Sequence, residues 1–324
     1  MPEAPAPLRV AVTSRSFSQH AELPGELRER FSHVRLNGEG VSLAGGALVD
    51  FLRGHDAAIV ALERIDESVL AQLPDLRVVS KYGVGLDGLD LDAMERRGVK
   101  LGWSPGVNSK SVAELAVGAM IALLHRVPEA SRDVAAGNWR QIRGKMLGGR
   151  TVGIIGCGHV GKEVARLCRA FGCRILVNDI CRYDEFYRAN GVQAVELDEL
   201  LGEAEVVTLH VPLDASTADL LNEQRVARLR KGAVVVNMAR GGVMDEAAVA
   251  RRLLDGSLGG AALDVFATEP PVGSPLLDLP NVLVTPHIGG STEEAVLAMG
   301  RAAIAALSMA RPVADWRREL SSSG

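Results

Sequence analysis

Six residues leave this chain few folds to choose from. Gly156-Cys157-Gly158-His159-Val160-Gly161 has the spacing G-x-G-x-x-G. The apolar run Thr151 to Ile155 precedes it and reads as a buried parallel strand. A helical pattern follows through Phe171, and a second strand, Arg174 to Asn178, ends at Asp179. Each glycine has a physical task in a strand-turn-helix that holds a pyrophosphate. Gly156 makes the tight turn, Gly158 lets the backbone approach the phosphates, and Gly161 lets helix and strand pack closely. The N–H groups of His159, Val160 and Gly161 stand at the positive end of the helix. Asp179 can take both ribose hydroxyls and would repel a 2′-phosphate, so the expected cofactor is NAD.

The same spacing occurs a second time, at Gly83 to Gly88, also after an apolar strand. There the following helix is short and ends at Arg97 and Gly98, and the next strand, Val99 to Gly102, is followed by no acid before Glu114. No residue fills the ribose position. This second loop reads instead as a turn at a strand's carboxyl end whose N–H groups suit a small carboxylate.

Around these loops, short apolar runs alternate with helical patterns: Leu8 to Val12, Ala57 to Leu62 and Leu76 to Ser80 first, then runs near Thr151, Arg174, Glu205, Ala233, Ala261 and Val282. That alternation predicts an α/β protein with two parallel-sheet units. The break Ser104-Pro105-Gly106 suits a crossing between domains. Ser111 and Glu114 have the spacing of a capping box and are expected to open a long apolar helix, which either lies in the core or packs on a second subunit. A net charge of −4 with no basic block points away from nucleic acid. No window is apolar for about 18 residues, so no membrane span is expected. Met1 to Pro7 lacks the pattern of a signal peptide, and the four cysteines lack zinc spacing. Reduced thiols, no metal and a cytoplasmic location are therefore the expectation.

The chemistry-bearing residues fall at the carboxyl ends of successive strands. Arg240 follows Ala233 to Val236, Glu269 follows the run around Ala261, and His287 follows Val282 to Val284. In an open parallel sheet those ends share the edge where the cofactor lies. Oxidation of a 2-hydroxy acid removes a hydride from carbon and a proton from oxygen. His287 can take the proton, Glu269 can fix its tautomer, and Arg240 can hold the substrate carboxylate. His210, at another strand end with Val211 and Pro212, is a candidate for catalysis or, more in keeping with its position, for lining the cofactor cleft.

The motifs GCGHVG with Asp179, NMARGG, DVFATEP and TPHIGGST stand in the order and spacing of a known family. From about Ala57 to Ser291 the chain resembles the D-isomer-specific 2-hydroxyacid dehydrogenases, with phosphoglycerate dehydrogenase as a near relative. The resemblance implies a central Rossmann domain, residues 104–291, inserted in a flavodoxin-like substrate domain of residues 1–103 and 292–324. It implies that Ala239, Asp264 and Gly290 lie near the nicotinamide, and that Lys81, Tyr82, Gly83, Val84 and Asn108 contact a small 2-hydroxy or 2-oxo acid. It also implies that the helix after Ser111 is the arm of a homodimer. Where phosphoglycerate dehydrogenases carry an Arg-Ser pair, this chain has Ala61-Leu62-Glu63-Arg64-Ile65, which disfavours a phosphorylated substrate. The chain also ends soon after its last helix, so no serine-binding regulatory domain is expected. A corepressor-like scaffold that senses the reduced cofactor, and a dehydrogenase of the phosphite or formate type, share the fold as alternatives.

Overall fold

The computed structural model describes residues 8–322, which form two compact units. Unit 1 comprises residues up to Asn108 together with those from Glu293, and unit 2 runs from Ser109 to Thr292. The division therefore falls at Asn108/Ser109, and Ser104 to Asn108 group with unit 1 rather than with the cofactor unit.

Unit 1 is built on a parallel sheet of β1 (Arg9–Val12), β2 (His33–Leu36), β3 (Ala57–Val60), β4 (Val78–Lys81) and β5 (Lys100–Gly102) in the order β2-β1-β3-β4-β5. The central strands β3 and β4 are buried along their length, which is why they read as unbroken apolar runs. The edge strand β2, with the alternation exposed–intermediate, has no such run and is not evident from composition. The helix Glu293–Met309 belongs to this unit and caps β4, where Ser80 Oγ donates to the carbonyl of Ala303 at 2.7 Å. Gly300 allows the close fit, since a Cβ there would stand 2.2 Å from Leu23 Cδ1. A second helix, Val313–Ser322, follows, and its Trp316 packs edge-on against Trp103.

Unit 2 contains β6 (Thr151–Ile155), β7 (Arg174–Asn178), β8 (Val192–Ala194), β9 (Val206–Leu209), β10 (Ala233–Asn237), β11 (Leu258–Leu263) and β12 (Val282–Val284). All pairs are parallel, in the order β12-β11-β10-β9-β6-β7-β8. The order reverses between β6 and β9. In such sheets ligands bind in the crevice at the carboxyl ends flanking that point.

The long apolar helix starts at Ser109, two residues before the expected capping box. Ser111 does not cap it. Ser111 Oγ donates instead to the carbonyl of Gly289 at 2.6 Å, because the residue is already the third of the helix and no longer at its N-cap. The helix buries Ala113, Ala116 and Met120 in the core of unit 2. At Arg126, with φ +59°, the chain bends by 65° into the helix Val127–Ala135, which buries none of its side chains. No single helix among the described residues is long and apolar enough to cross a membrane.

Candidate active site

β6 delivers the glycine loop to the carboxyl edge. The helix His159–Ala170 begins directly after it, with Gly158 at the N-cap and no side chain capping the first turn. Its leading N–H groups are thus available to an anion, helped by the helix dipole. The glycines are sterically obligatory at two points. A Cβ on Gly161 would lie 2.0 Å from the carbonyl oxygen of Gly156. One on Gly156, whose φ is +90°, would lie 2.6 Å from the carbonyl oxygen of His210. At Gly158 there is open space, where a phosphate group needs it. At the end of β7 the Asp179 carboxylate accepts the N–H groups of Cys157 and of Cys181, the latter at 2.8 Å. The acid is therefore fixed beside the glycine loop. Uncapped helix, open Gly158 and anchored Asp179 together fit a dinucleotide. Arg182, a cation that could invite a 2′-phosphate, pairs with Asp184 at 3.0 Å.

His210 ends β9 on the other side of the crevice. Its Nε2 lies 2.9 Å from Thr208 Oγ1, and its Nδ1 is shut off from solvent without a hydrogen-bond partner. Burial pushes its pKa down to about 3, so the ring is neutral at ordinary pH. A group that stays neutral cannot serve as the proton donor at neutral pH, which leaves the lining role for His210, with Val211 and Pro212 following it along the same edge.

Three neighbouring strand ends carry the other candidates. Asp264 N donates to the Asn237 carbonyl at 3.0 Å, and His287 N donates to the Asp264 carbonyl at 2.9 Å. β10, β11 and β12 are thereby stitched together beyond their last ladder bonds. Asn237, buried at the end of β10, accepts the N–H of Ala239 at 3.0 Å and donates to the carbonyl of Arg240 at 2.9 Å. It shapes the turn that presents Arg240, whose Nη1 also donates to the Ala239 carbonyl at 2.7 Å. A Cβ on Gly241 would meet the Phe266 carbonyl oxygen at 1.9 Å, so only glycine lets the Arg240 and Glu269 loops touch.

Glu269 folds back over its own loop, Oε1 accepting the Phe266 N–H at 3.1 Å. Its Oε2 lies 3.1 Å from His287 Nδ1. With Nδ1–H engaged by the carboxylate, the lone pair of the imidazole is left on Nε2. The His287 side chain is 47% exposed, so that nitrogen is open to a reactant. His287 has φ +56°, a conformation that non-glycine residues rarely hold without support. The support is Asp264, almost fully buried. Its Oδ1 accepts from Thr285 Oγ1 at 2.6 Å and Ile288 N at 2.7 Å, and its Oδ2 from Gly289 N at 2.8 Å. Asp264 thus holds the loop on which His287 and Gly290 stand. Asn237, Thr285 and Ser111, which also clasps that loop, carry no charge, and the sequence alone signals them only as polar residues inside or at the end of apolar segments.

The candidates of unit 1 have a different character. Lys81 is 8% exposed, and its ammonium donates to the Ala61 carbonyl. Tyr82 is 7% exposed, its ring edge-on to Phe17 and its hydroxyl bonded to Ser16. Burial raises its pKa and keeps the phenol neutral. The Tyr82 ring is thus part of the core of unit 1. Gly83 and Val84, which follow in the loop, are half-buried, with the Val84 carbonyl accepting Trp103 Nε1–H at 3.0 Å. Asn108 is a buried polar residue at the end of the unit's first segment. Among the described residues no cluster of three or more His, Cys, Asp or Glu could hold a metal ion.

Comparison with known proteins places these features in context. The sequence profile of the D-isomer specific 2-hydroxyacid dehydrogenase NAD binding domain matches residues 117–289. A D-3-phosphoglycerate dehydrogenase of Archaeoglobus fulgidus is 37% identical over 280 residues, 84% of this chain and 53% of that protein. A hydroxypyruvate reductase of Thermotoga maritima is 37% identical over 73% of this chain and 78% of its own length. The crystal structure of D-lactate dehydrogenase from Aquifex aeolicus, complexed with NAD and lactic acid, superposes with a TM-score of 0.80 at 25% identity, covering 93% of this chain and 94% of that one. The chain spans about half the length of the phosphoglycerate dehydrogenases it matches.

Proposed function

The chain belongs to the D-isomer specific 2-hydroxyacid dehydrogenase family, and on that premise we propose that it interconverts a small D-2-hydroxy acid and the corresponding 2-oxo acid, with His287 as the acid/base. The cofactor is NAD, which when bound supplies the hydride acceptor of such a reaction. The observation that carries the reading is the 3.1 Å contact of His287 Nδ1 with Glu269 on the strand edge that also bears Arg240. In the oxidative direction His287 Nε2 receives the proton of the 2-hydroxyl. Glu269 stabilises the imidazolium so formed and keeps the ring oriented. Arg240 binds the substrate carboxylate and the oxygen at C2, a task for which its planar pair of donors is suited. Lys81, Gly83, Val84 and Asn108 are proposed as further substrate contacts.

The substrate proposed is unphosphorylated. At the end of β3, Glu63 accepts the N–H of Ala61 at 2.7 Å, and Arg64 is paired with Asp66 at 3.2 Å. A phosphate there would meet a fixed carboxylate and an already neutralised guanidinium. A homodimer and a cytoplasmic location complete the proposal. The helix Val127–Ala135 has no buried residue and Trp139 is 90% exposed, a surface that suits a second copy, and all four cysteines are free thiols, as a reducing compartment keeps them.

The test is a spectrophotometric assay at the nicotinamide band with a panel of small 2-oxo acids, phosphorylated and not, with NADH and NADPH in parallel. Turnover of unphosphorylated acids with NADH is the expected result. Cofactor binding with no turnover of any member would overturn the proposal.

A further inference from the structure

The four cysteines are not equivalent. Two of them close the far end of the cofactor helix. The helix His159–Ala170 terminates in a double hydrogen-bond pattern: Cys173 N donates to the Cys168 carbonyl at 3.1 Å, and Gly172 N to the Arg169 carbonyl at 2.8 Å. Gly172, with φ +74°, supplies the left-handed residue this ending requires. In this termination the side chains two residues beyond the helix cap and in the helix's last turn pack against each other. Both of those positions are cysteine here. The backbone bond keeps their Cα atoms within about 7 Å by covalent reach, the range in which a disulfide closes with little movement. Cys168 is fully buried and Cys173 half-buried against the same apolar cluster.

We propose that Cys168 and Cys173 form an oxidation site, a dithiol that a hydroperoxide converts into an intramolecular disulfide across the C-terminus of the cofactor helix. The two sulfurs divide the work. Cys173 Sγ donates to the Leu147 carbonyl at 3.4 Å, and the interaction between the two sulfurs lowers the pKa of Cys173 and, together with burial, raises that of Cys168. Cys173 is also the more accessible, so its thiolate is the attacking group. Its sulfur forms an S–O bond as the peroxide O–O bond breaks, and the leaving alkoxide or hydroxide takes up a proton. The Cys168 sulfur then attacks the Cys173 sulfur. The S–S bond forms, the S–O bond breaks, and hydroxide departs as water with the proton of Cys168. In balance, two thiols lose two electrons and two protons, and the hydroperoxide is reduced to an alcohol and water. Cys157 differs in kind: burial pushes its thiol up to about 12, which withholds it from this chemistry.

The full-length protein is treated with hydrogen peroxide, and its free thiols are counted after denaturation. The count is expected to fall from four to two and to return to four with dithiothreitol. Trypsin cuts at Arg166, Arg169 and Arg174, so the disulfide appears as Leu167-Cys168-Arg169 joined to Ala170-Phe171-Gly172-Cys173-Arg174 in the unreduced digest. Cys173→Ser removes the joined peptides, and in Cys168→Ala the oxidation stops at a sulfenic or sulfinic acid on Cys173. Retention of all four thiols, a link between Cys157 and Cys181, or over-oxidation of Cys173 in the wild-type chain without the joined peptides would each overturn the assignment.

Discussion

The protein contains two loops of the same pattern, Gly156 to Gly161 and Gly83 to Gly88, each at the carboxyl end of a parallel strand, and they do opposite things. In the first, a helix of 12 residues starts at once, its N-terminus uncapped. In the second, the helix is only six residues long and starts at Leu91, after Asp90 has capped it by accepting the N–H of Ala93 at 2.8 Å. The protein's own carboxylate occupies the place an external anion would take. The third glycine differs as well. Gly161 is pressed against the Gly156 carbonyl, whereas a Cβ on Gly88 would lie 3.2 Å from the Glu63 carbonyl oxygen, a contact that a small shift relieves. Glycine spacing thus specifies a turn. What specifies a dinucleotide site is an open helix N-terminus and an acid at the next strand.

If that difference is real, chemistry belongs to the sheet edge carrying the first loop. His287→Ala is expected to lower kcat by about 10²- to 10⁴-fold while the dissociation constant for NADH, followed by fluorescence, stays the same. Full turnover in the variant would remove the acid/base assignment, and lost NADH affinity would make His287 a structural part of the cofactor cleft.

The wall behind the first loop provides a pH test. In the unfolded chain His210 takes up a proton below about 6.5, but in the folded chain only near pH 3. Between those values the unfolded state binds the extra proton. Stability is therefore complete above pH 6.5 and falls as pH drops toward 3, by an amount on the order of a few kcal/mol. Denaturant melts across this window should lose part of that slope in His210→Gln. An unchanged slope would mean that the ring is solvated and does not line a closed wall. A smaller contrast comes from the glycines. Gly161→Ala is expected to destabilise unit 2 by about 1–3 kcal/mol through overpacking and to weaken NADH binding. Gly88→Ala should leave NADH binding untouched, and equal losses in both variants would break the comparison.

Much of this was legible in the sequence because it rests on local rules. The buried central strands announce themselves as apolar runs, and Arg240, Glu269 and His287 are charged or titratable residues standing just past such runs. β2 and β8 were not legible, since edge strands are half exposed and need no apolar run. Ser111 was misread because Ser-x-x-Glu signals a helix start only if the chain is not already helical, and the helix begins at Ser109. The Asp264 network was out of reach for a different reason. Its partners Thr285, Ile288 and Gly289 are 21 to 25 residues away and meet it only once β11 and β12 pair. A carboxylate that positions the His287 loop looks in sequence like one that faces a ligand.

The smallest effect isolates the cap itself. Asp90→Ala removes the side chain that satisfies Ala93 N–H and leaves the glycines of the second loop in place. The loss of an N-cap costs about 1 kcal/mol, visible as a small decrease in melting temperature. The uncapped helix then has free N–H groups, as the first helix has, but it remains two turns long, with a weak dipole, and no acid follows β5 to take a ribose. The variant should therefore bind one NADH per chain, as the wild type does, at unchanged affinity. A second equivalent of NADH bound by Asp90→Ala would show that the capping aspartate alone separates the two loops, and that the helix length and the Asp179 position count for less than the geometry implies.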